Sequence, residues 1–184
     1  MEKKRSKRCT TSLRLESGFT LIEMILVVAL LSAFAITLLT VLNPLAQFQK
    51  SNDARRKSDL YQIQRALETY YQDYGQYPPS VVSNNIYYIK NVNTNGPILW
   101  GKSWQPYMNI LPQDPSSSKS YVYYSPPSSN GQTYYLYASL DRGGKDLQAC
   151  NSGNACSSLS TNGIPATACG DTCNFGLSSP NVSP

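Results

Sequence analysis

Phe19-Thr20-Leu21-Ile22-Glu23-Met24-Ile25-Leu26-Val27-Val28-Ala29-Leu30-Leu31 opens an apolar run that continues to Leu42 and holds a single charged residue, Glu23. About 20 apolar residues carry a helix across the hydrocarbon core of a bilayer, so this run is long enough to span one. The residues before it, 1–18, are basic and polar. Lys3, Lys4, Arg5, Lys7, Arg8 and Arg14 stand against Glu2 and Glu16. Basic flanks stay on the cytoplasmic side, so everything after the run is expected to be exported, in a single-pass arrangement. The rest of the chain has ten basic and nine acidic residues. Four of the five net positive charges therefore belong to the leader and read as a topology signal, and a nucleic-acid partner is not expected.

Pro44 follows the run by two residues and predicts a kink or local melt in a continuing helix, because it lacks an amide donor and clashes with the preceding turn. Beyond it the helical pattern resumes. Leu60, Ile63, Leu67, Tyr70 and Tyr74 recur at spacings of three and four and form one apolar stripe, expected to dock on a globular domain. Asp53 with Lys57, and Arg55 with Asp59, are spaced to pair one turn apart. Gly75 and Pro78-Pro79 predict the stop. A helix from Thr20 to Tyr74 would run roughly 80 Å at ~1.5 Å per residue.

From Ser80 the signals are strand and loop. Ser120–Tyr124 and Thr133–Leu140 predict a hairpin around Pro126-Pro127-Ser128-Ser129-Asn130-Gly131. Tyr134, Leu136, Ala138 and Leu140 alternate with Tyr135, Tyr137 and Ser139, so one face is expected to cover the helix stripe and the other to meet solvent. Asn95-Gly96 and Asn162-Gly163 mark further turns. After Cys150 periodicity fades, and an irregular tail with disordered last residues is expected. The predicted class is α+β: a long N-terminal helix packed on a small antiparallel sheet, with an irregular disulfide-bearing tail. The organisation is 1–18 leader, 19–42 membrane half of the helix, 43–75 amphipathic half, 76–149 β domain and 150–184 Cys-rich tail.

Cys150, Cys156, Cys169 and Cys173 follow the membrane segment, whereas Cys9 lies in the leader. Four late cysteines in an exported domain point to disulfides, with three pairings open. Zinc is the rival reading. With no His in the chain and Ser, Asn and Gly around the cysteines, disulfides are the expectation. The absence of His also removes Ser-His and Cys-His catalysis. Ser116-Ser117-Ser118-Lys119 formally matches S-x-x-K, but it sits in a Pro/Ser loop with no K-T-G downstream. No enzyme is expected.

Glu23 is the oddity. An ionised carboxylate in hydrocarbon costs several kcal/mol, so it should have a partner or a task. A cut after Gly18 would create one. The new α-amino group of Phe19 is a cation at the membrane surface that a neighbouring subunit's Glu23 could neutralise, setting axial register in a helical assembly. The bland alternative is a glutamate that snorkels out of the bilayer.

Gly18-Phe19-Thr20-Leu21-Ile22-Glu23, after a short basic leader and before an apolar helix, resembles the class III signal of type IV prepilins and type II secretion pseudopilins. The resemblance extends over about residues 13–80, including Tyr74-Gly75-Gln76-Tyr77-Pro78, and again at Leu111-Pro112-Gln113-Asp114-Pro115. It implies cleavage after Gly18 by a prepilin peptidase, often with N-methylation of Phe19, and Glu23 as the assembly glutamate. It further implies a filament of this chain and other pilins, built by an assembly ATPase and a platform membrane protein. The precursor would lie in the inner membrane and the filament at the cell surface or outside it. In that family a late loop can bind calcium; the nearest match is Leu140-Asp141-Arg142-Gly143-Gly144-Lys145-Asp146. Asp141 and Asp146 are weak calcium candidates, because the ion takes six to eight oxygens and basic residues stand between them. A solvated turn without cofactor is the expectation. The Cys-bearing tail departs from the pseudopilin pattern and is similar to the disulfide-closed ends of many type IV pilins.

Two rivals explain less. An ordinary signal peptide would use Ala33-Phe34-Ala35 as its cleavage site, yet the run stays apolar to Leu42. A signal-anchored surface protein accounts for topology but not for Gly-Phe-Thr-Leu-Ile-Glu. Pilus, secretion and DNA-uptake filaments stay open at this level. The paired tyrosines (Tyr87-Tyr88, Tyr123-Tyr124, Tyr134-Tyr135) are expected to fill strand faces.

Overall fold

A computed structural model describes residues 18–184, so Cys9 and the leader up to Ser17 lie outside the described residues. The described chain falls into two units that divide after Pro44.

The first unit is helix α1, Leu21–Leu42. Its apolar 18-residue window, Leu21–Leu38, is long and apolar enough to cross a membrane, and none of it is buried within the chain. Ser32 and Thr37 each return their hydroxyl to the carbonyl four residues back, at 2.7 Å, so neither leaves an unsatisfied donor on this apolar surface. Asn43 takes the left-handed conformation, φ 40°, and helix α2 starts at Pro44, the first-turn position where proline's missing amide is tolerated. The expected interruption at Pro44 is thus a break of one residue.

The second unit is organised around α2, Pro44–Tyr74. Gly75 follows it at φ +68°, a conformation that costs glycine little, and donates its amide to Tyr71 at 2.8 Å. Of the predicted stripe, Leu60, Ile63 and Leu67 are fully buried and Tyr70 nearly so. Tyr74 stays 57 % exposed, its ring against that of Tyr70.

Two three-stranded antiparallel sheets follow. The first has β1 (Ser80–Ser83), β2 (Ile86–Lys90) and β3 (Pro97–Ile98) in that order. Asn84 and Asn85, at φ 51° and 62°, form the two-residue turn between β1 and β2; both central residues of such a primed turn need positive φ, and Asn tolerates it. Asn95-Gly96 turns β2 into β3, as expected.

The second sheet has β4 (Val122–Tyr124), β5 (Tyr135–Ala138) and β6 (Phe175–Ser178). The predicted hairpin is β4–β5, with Tyr123 opposite Leu136. Tyr121, Tyr123, Tyr134, Leu136 and Ala138 join the α2 stripe in one core. The opposite face departs from expectation. Val122 and Tyr137 are buried too, because the C-terminal segment lies over them, and Ser139 is buried with the Lys119 ammonium on its hydroxyl. Leu159 on α3 (Ser157–Thr161), Ile164, Cys156, Cys169 and Cys173 form a second core against Val122 and Tyr137. The Tyr137 hydroxyl is within 2.6 Å of Ser158 Oγ; burial pushes it up to about 12, against the lowering effect of that bond.

The tail is therefore a covering layer, not a loose end. It supplies β6, which pairs with β5 from Tyr135–Ser178 to Ala138–Phe175. The expectation of disordered last residues fails because Ser178 Oγ and Ser179 tie the chain to Val182 and Tyr134.

Candidate functional site

Three places were singled out: the Gly18–Glu23 junction, the four late cysteines, and the Asp141–Asp146 loop.

At the junction, Gly18 and Phe19 precede α1 and are exposed, Phe19 at 78 %. Thr20 is the N-cap: it is extended (ψ 150°), and its Oγ1 accepts the Glu23 amide at 3.3 Å. Thr20-x-x-Glu23 is thus the sequence form of a capping box, a signal the position-based reading of Glu23 overlooked. A carboxylate in the first turn also faces the positive end of the helix dipole, which favours it there. The cap itself is made through the Glu23 backbone amide. The Ala33-Phe34-Ala35 stretch lies within the helix.

The cysteines pair locally, Cys150–Cys156 and Cys169–Cys173, with Cα–Cα separations of 4.9 and 5.4 Å. Each closes a short loop, and the loops are stitched together by Cys156 N–H to Cys173 O (3.0 Å) and Cys150 N–H to Asn174 O (2.7 Å). The zinc reading falls away, since all four sulfurs are in covalent pairs. Their task is to hold the layer that buries Tyr137.

The loop after β5 is where sequence reasoning missed most. Arg56, on α2, is fully buried, and its guanidinium reaches three carboxylates. Nε and Nη2 donate to Asp114 at 2.9 and 3.1 Å, and Nη1 donates to Asp53 at 2.9 Å and to Asp141 at 2.8 Å. Desolvation alone would lower the Arg56 pKa, but the Asp114 and Asp141 hydrogen bonds raise it. Asp53 in turn accepts the amides of Asp141 and Arg142 at 2.8 and 2.9 Å. Lys119 donates to Asp141 Oδ1 at 2.7 Å and to Ser139 Oγ at 3.1 Å. Burial by itself would raise the Asp141 carboxyl; the Arg56 and Lys119 hydrogen bonds hold it below the usual carboxylate range. Asp146 is likewise lowered, by Lys57 and the Gln148 amide, against its own desolvation.

The expected Asp53–Lys57 pair is therefore replaced: Asp53 goes to Arg56, and Lys57 to Asp146. Arg55–Asp59 forms at 3.8 Å as expected. The S-x-x-K lysine, Lys119, is bound into this network, and Ser116 Oγ contacts Ser118 Oγ.

Asp141 and Asp146 do not fit a calcium ion. Both oxygens of Asp141 and both of Asp146 already accept hydrogen bonds from protein donors, three of the four from a cation. Among the described residues no three acidic, His or Cys side chains are arranged to hold a metal. The turn is not merely solvated either: the Asp141 side chain is 22 % exposed and Gly143 is buried, with Asn174 seated where a Cβ would stand.

A family model described as "Type II secretion system (T2SS), protein G" matches residues 43–156. The match takes in α2, the first sheet, the β4–β5 hairpin, the Arg56 network and the first disulfide; the Gly18–Glu23 junction, the Cys169–Cys173 pair and β6 lie outside it. No curated protein and no solved structure matches the chain.

Proposed function

The chain belongs to the type II secretion system protein G family, and from that footing we propose that it is a structural subunit of a secretion pseudopilus. It enters the membrane as a precursor, is cut between Gly18 and Phe19, and polymerises through α1 with further copies and other pilins. Its partners are a prepilin peptidase, a platform membrane protein and an assembly ATPase, since a structural chain must draw the work of assembly from elsewhere. The observation that supports this reading best is α1 itself. An apolar helix, long enough to cross a membrane and unburied over Leu21–Leu38 among the described residues, precedes a domain of that family. Such a surface needs lipid before assembly and other helices after it.

The Glu23 pairing belongs to the same reading. Cleavage turns Phe19 into a cation at the head of α1, and Glu23 of a neighbouring subunit neutralises it. N-methylation of Phe19 would keep that charge.

Mass spectrometry of the N-terminus after co-expression with a prepilin peptidase is the direct test. The expected mature chain starts at Phe19, with or without one methyl group. An intact N-terminus, or a start after Ala35, would sink the reading. Because Glu23 also sits in a capping position, the charge is separated from the cap by Glu23→Gln, which keeps the N3 preference. That variant should be cleaved normally and yet fail to enter filaments; filaments at wild-type yield would refute the pairing.

A further inference from the structure

A loop that closes around a divalent ion gathers carboxylates whose mutual repulsion the metal relieves. The segment Leu140–Asp146 has gathered its carboxylates around something else. Arg56 Nη1 lies 2.8 Å from Asp141 and 2.9 Å from Asp53, while the rest of the same guanidinium holds Asp114 in a two-point contact. One planar cation thus ties α2, the segment before β4 and the segment after β5. Its five fixed donors suit that geometry, as a rotating ammonium would not.

The remaining valences of the loop are taken as well. Lys119 occupies the other oxygen of Asp141, and Lys57 takes Asp146 while lying 5.5 Å over the Phe175 ring. The Asn174 side chain clamps both backbone groups of Leu140, at 2.7 and 3.1 Å. Gly153, at φ +95°, packs its backbone against Gly143 and Gly144, leaving no room for a side chain there. Beside the loop, a cleft of about 380 Å³ is lined by Lys50, Lys57, Arg142 and Lys145 against Asp53 and Asp146. Its charge repels a divalent cation.

We propose that Arg56 is the built-in cation of this loop, and that the chain holds the loop in its folded form without calcium. The guanidinium does the ordering that a metal would do, so loop order is independent of metal supply outside the cell. This holds whether or not the chain forms a pseudopilus, since it rests on the second unit alone.

The test uses the full chain in detergent. Thermal unfolding is followed by tyrosine near-ultraviolet circular dichroism, with a chelator and then with about 10 mM calcium chloride, roughly ten times the dissociation constant of a millimolar site. The expected midpoints agree to within about 1 °C. Even a weak site, of the millimolar class found in extracellular modules, would move the midpoint by roughly 3–5 °C. A shift of that size, or about one radiolabelled calcium ion retained per chain in equilibrium dialysis, overturns the proposal. Arg56→Met supplies the second arm. Removing the charge while keeping the bulk leaves three carboxylates facing one another, and the midpoint should fall by at least about 6 °C. A midpoint within about 2 °C of the unaltered chain would show that the guanidinium is not what holds the loop. The calcium titration of the unaltered chain decides the metal question even where that variant does not fold.

Discussion

Along α2, positions 53, 56, 60, 63, 67 and 70 lie on one stripe, spaced three and four apart, and all six are buried. The two halves of that stripe are made of opposite materials. Leu60, Ile63, Leu67 and Tyr70 meet the tyrosine-rich face of the β4–β5–β6 sheet, and dispersion and water exclusion hold them there. Asp53 and Arg56 meet Asp114 and Asp141, and hydrogen-bonded charge holds them. Spacing thus says which positions are buried, whereas residue type says what must be waiting on the other side. A buried Leu accepts any apolar neighbour of the right shape. A buried guanidinium demands specific acceptors, and leaving them unmet costs far more than the pair gains.

The apolar half should break hardest and be blind to pH. Leu67 is fully buried, and Leu67→Ala is expected to cost about 2–5 kcal/mol through lost transfer energy and a cavity that cannot fully collapse. In thermal scans that cost should be the same from pH 4 to pH 8, since the deleted methyl groups carry no charge and take up no proton. A cost below about 1 kcal/mol would mean the stripe is not the main seam of the second unit.

This contrast also explains what could be read in advance. The apolar run, the break at Pro44, the stop at Gly75 and the β4–β5 hairpin rest on short-range rules that a single stretch of residues states in full. Asp53 and Arg56 continue the spacing of the stripe, but charged residues are rarely buried unless paired, so their burial could be read only with their partners in view. Those partners were not legible, because Asp114 and Asp141 are 58 and 85 residues beyond Arg56. Local reasoning instead paired Asp53 with Lys57, the nearest opposite charge. The Asn84-Asn85 turn was legible from two turn-prone residues between Ser83 and Ile86. The burial of Tyr137 could not be foreseen. The layer over it is an aperiodic tail whose shape comes from two short disulfide loops, and the cysteine count left their pairing open.

The polar half should answer to pH, and Lys119 sharpens the point. Lys119→Met removes one of the two cations on Asp141 but leaves Arg56 in place, so the loss at pH 7 should be about 1–2 kcal/mol. The Asp141 pKa is depressed in the folded state, so its contribution is present above the ordinary carboxylate value and is lost as pH falls through the depressed one. The variant's stability should therefore converge on that of the parent once the pH has fallen below that depressed value. A gap that stays constant on acidification would assign the loss to packing of the lysine stem.

The smallest effect, with the opposite sign, belongs to Asp59. It sits at the edge of the polar half, accepts the Tyr121 hydroxyl at 2.7 Å and meets Arg55 at 3.8 Å. Desolvation raises its pKa, more than the Tyr121 bond and Arg55 lower it. A raised carboxyl favours the folded state when protonated, so its ionised form is a burden at neutral pH that lifts as pH falls. Asp59→Asn keeps an acceptor for Tyr121 and removes the charge. Arg55 is 63 % exposed, so losing that pair should matter little. The variant is expected to equal or exceed the parent by up to about 1 kcal/mol at pH 7. That advantage should disappear near pH 4, where the unfolded carboxyl also takes up its proton. Destabilisation at pH 7 that persists at pH 4 would instead mean that Asn cannot hold the Tyr121 hydroxyl, and that the carboxylate is there for its geometry.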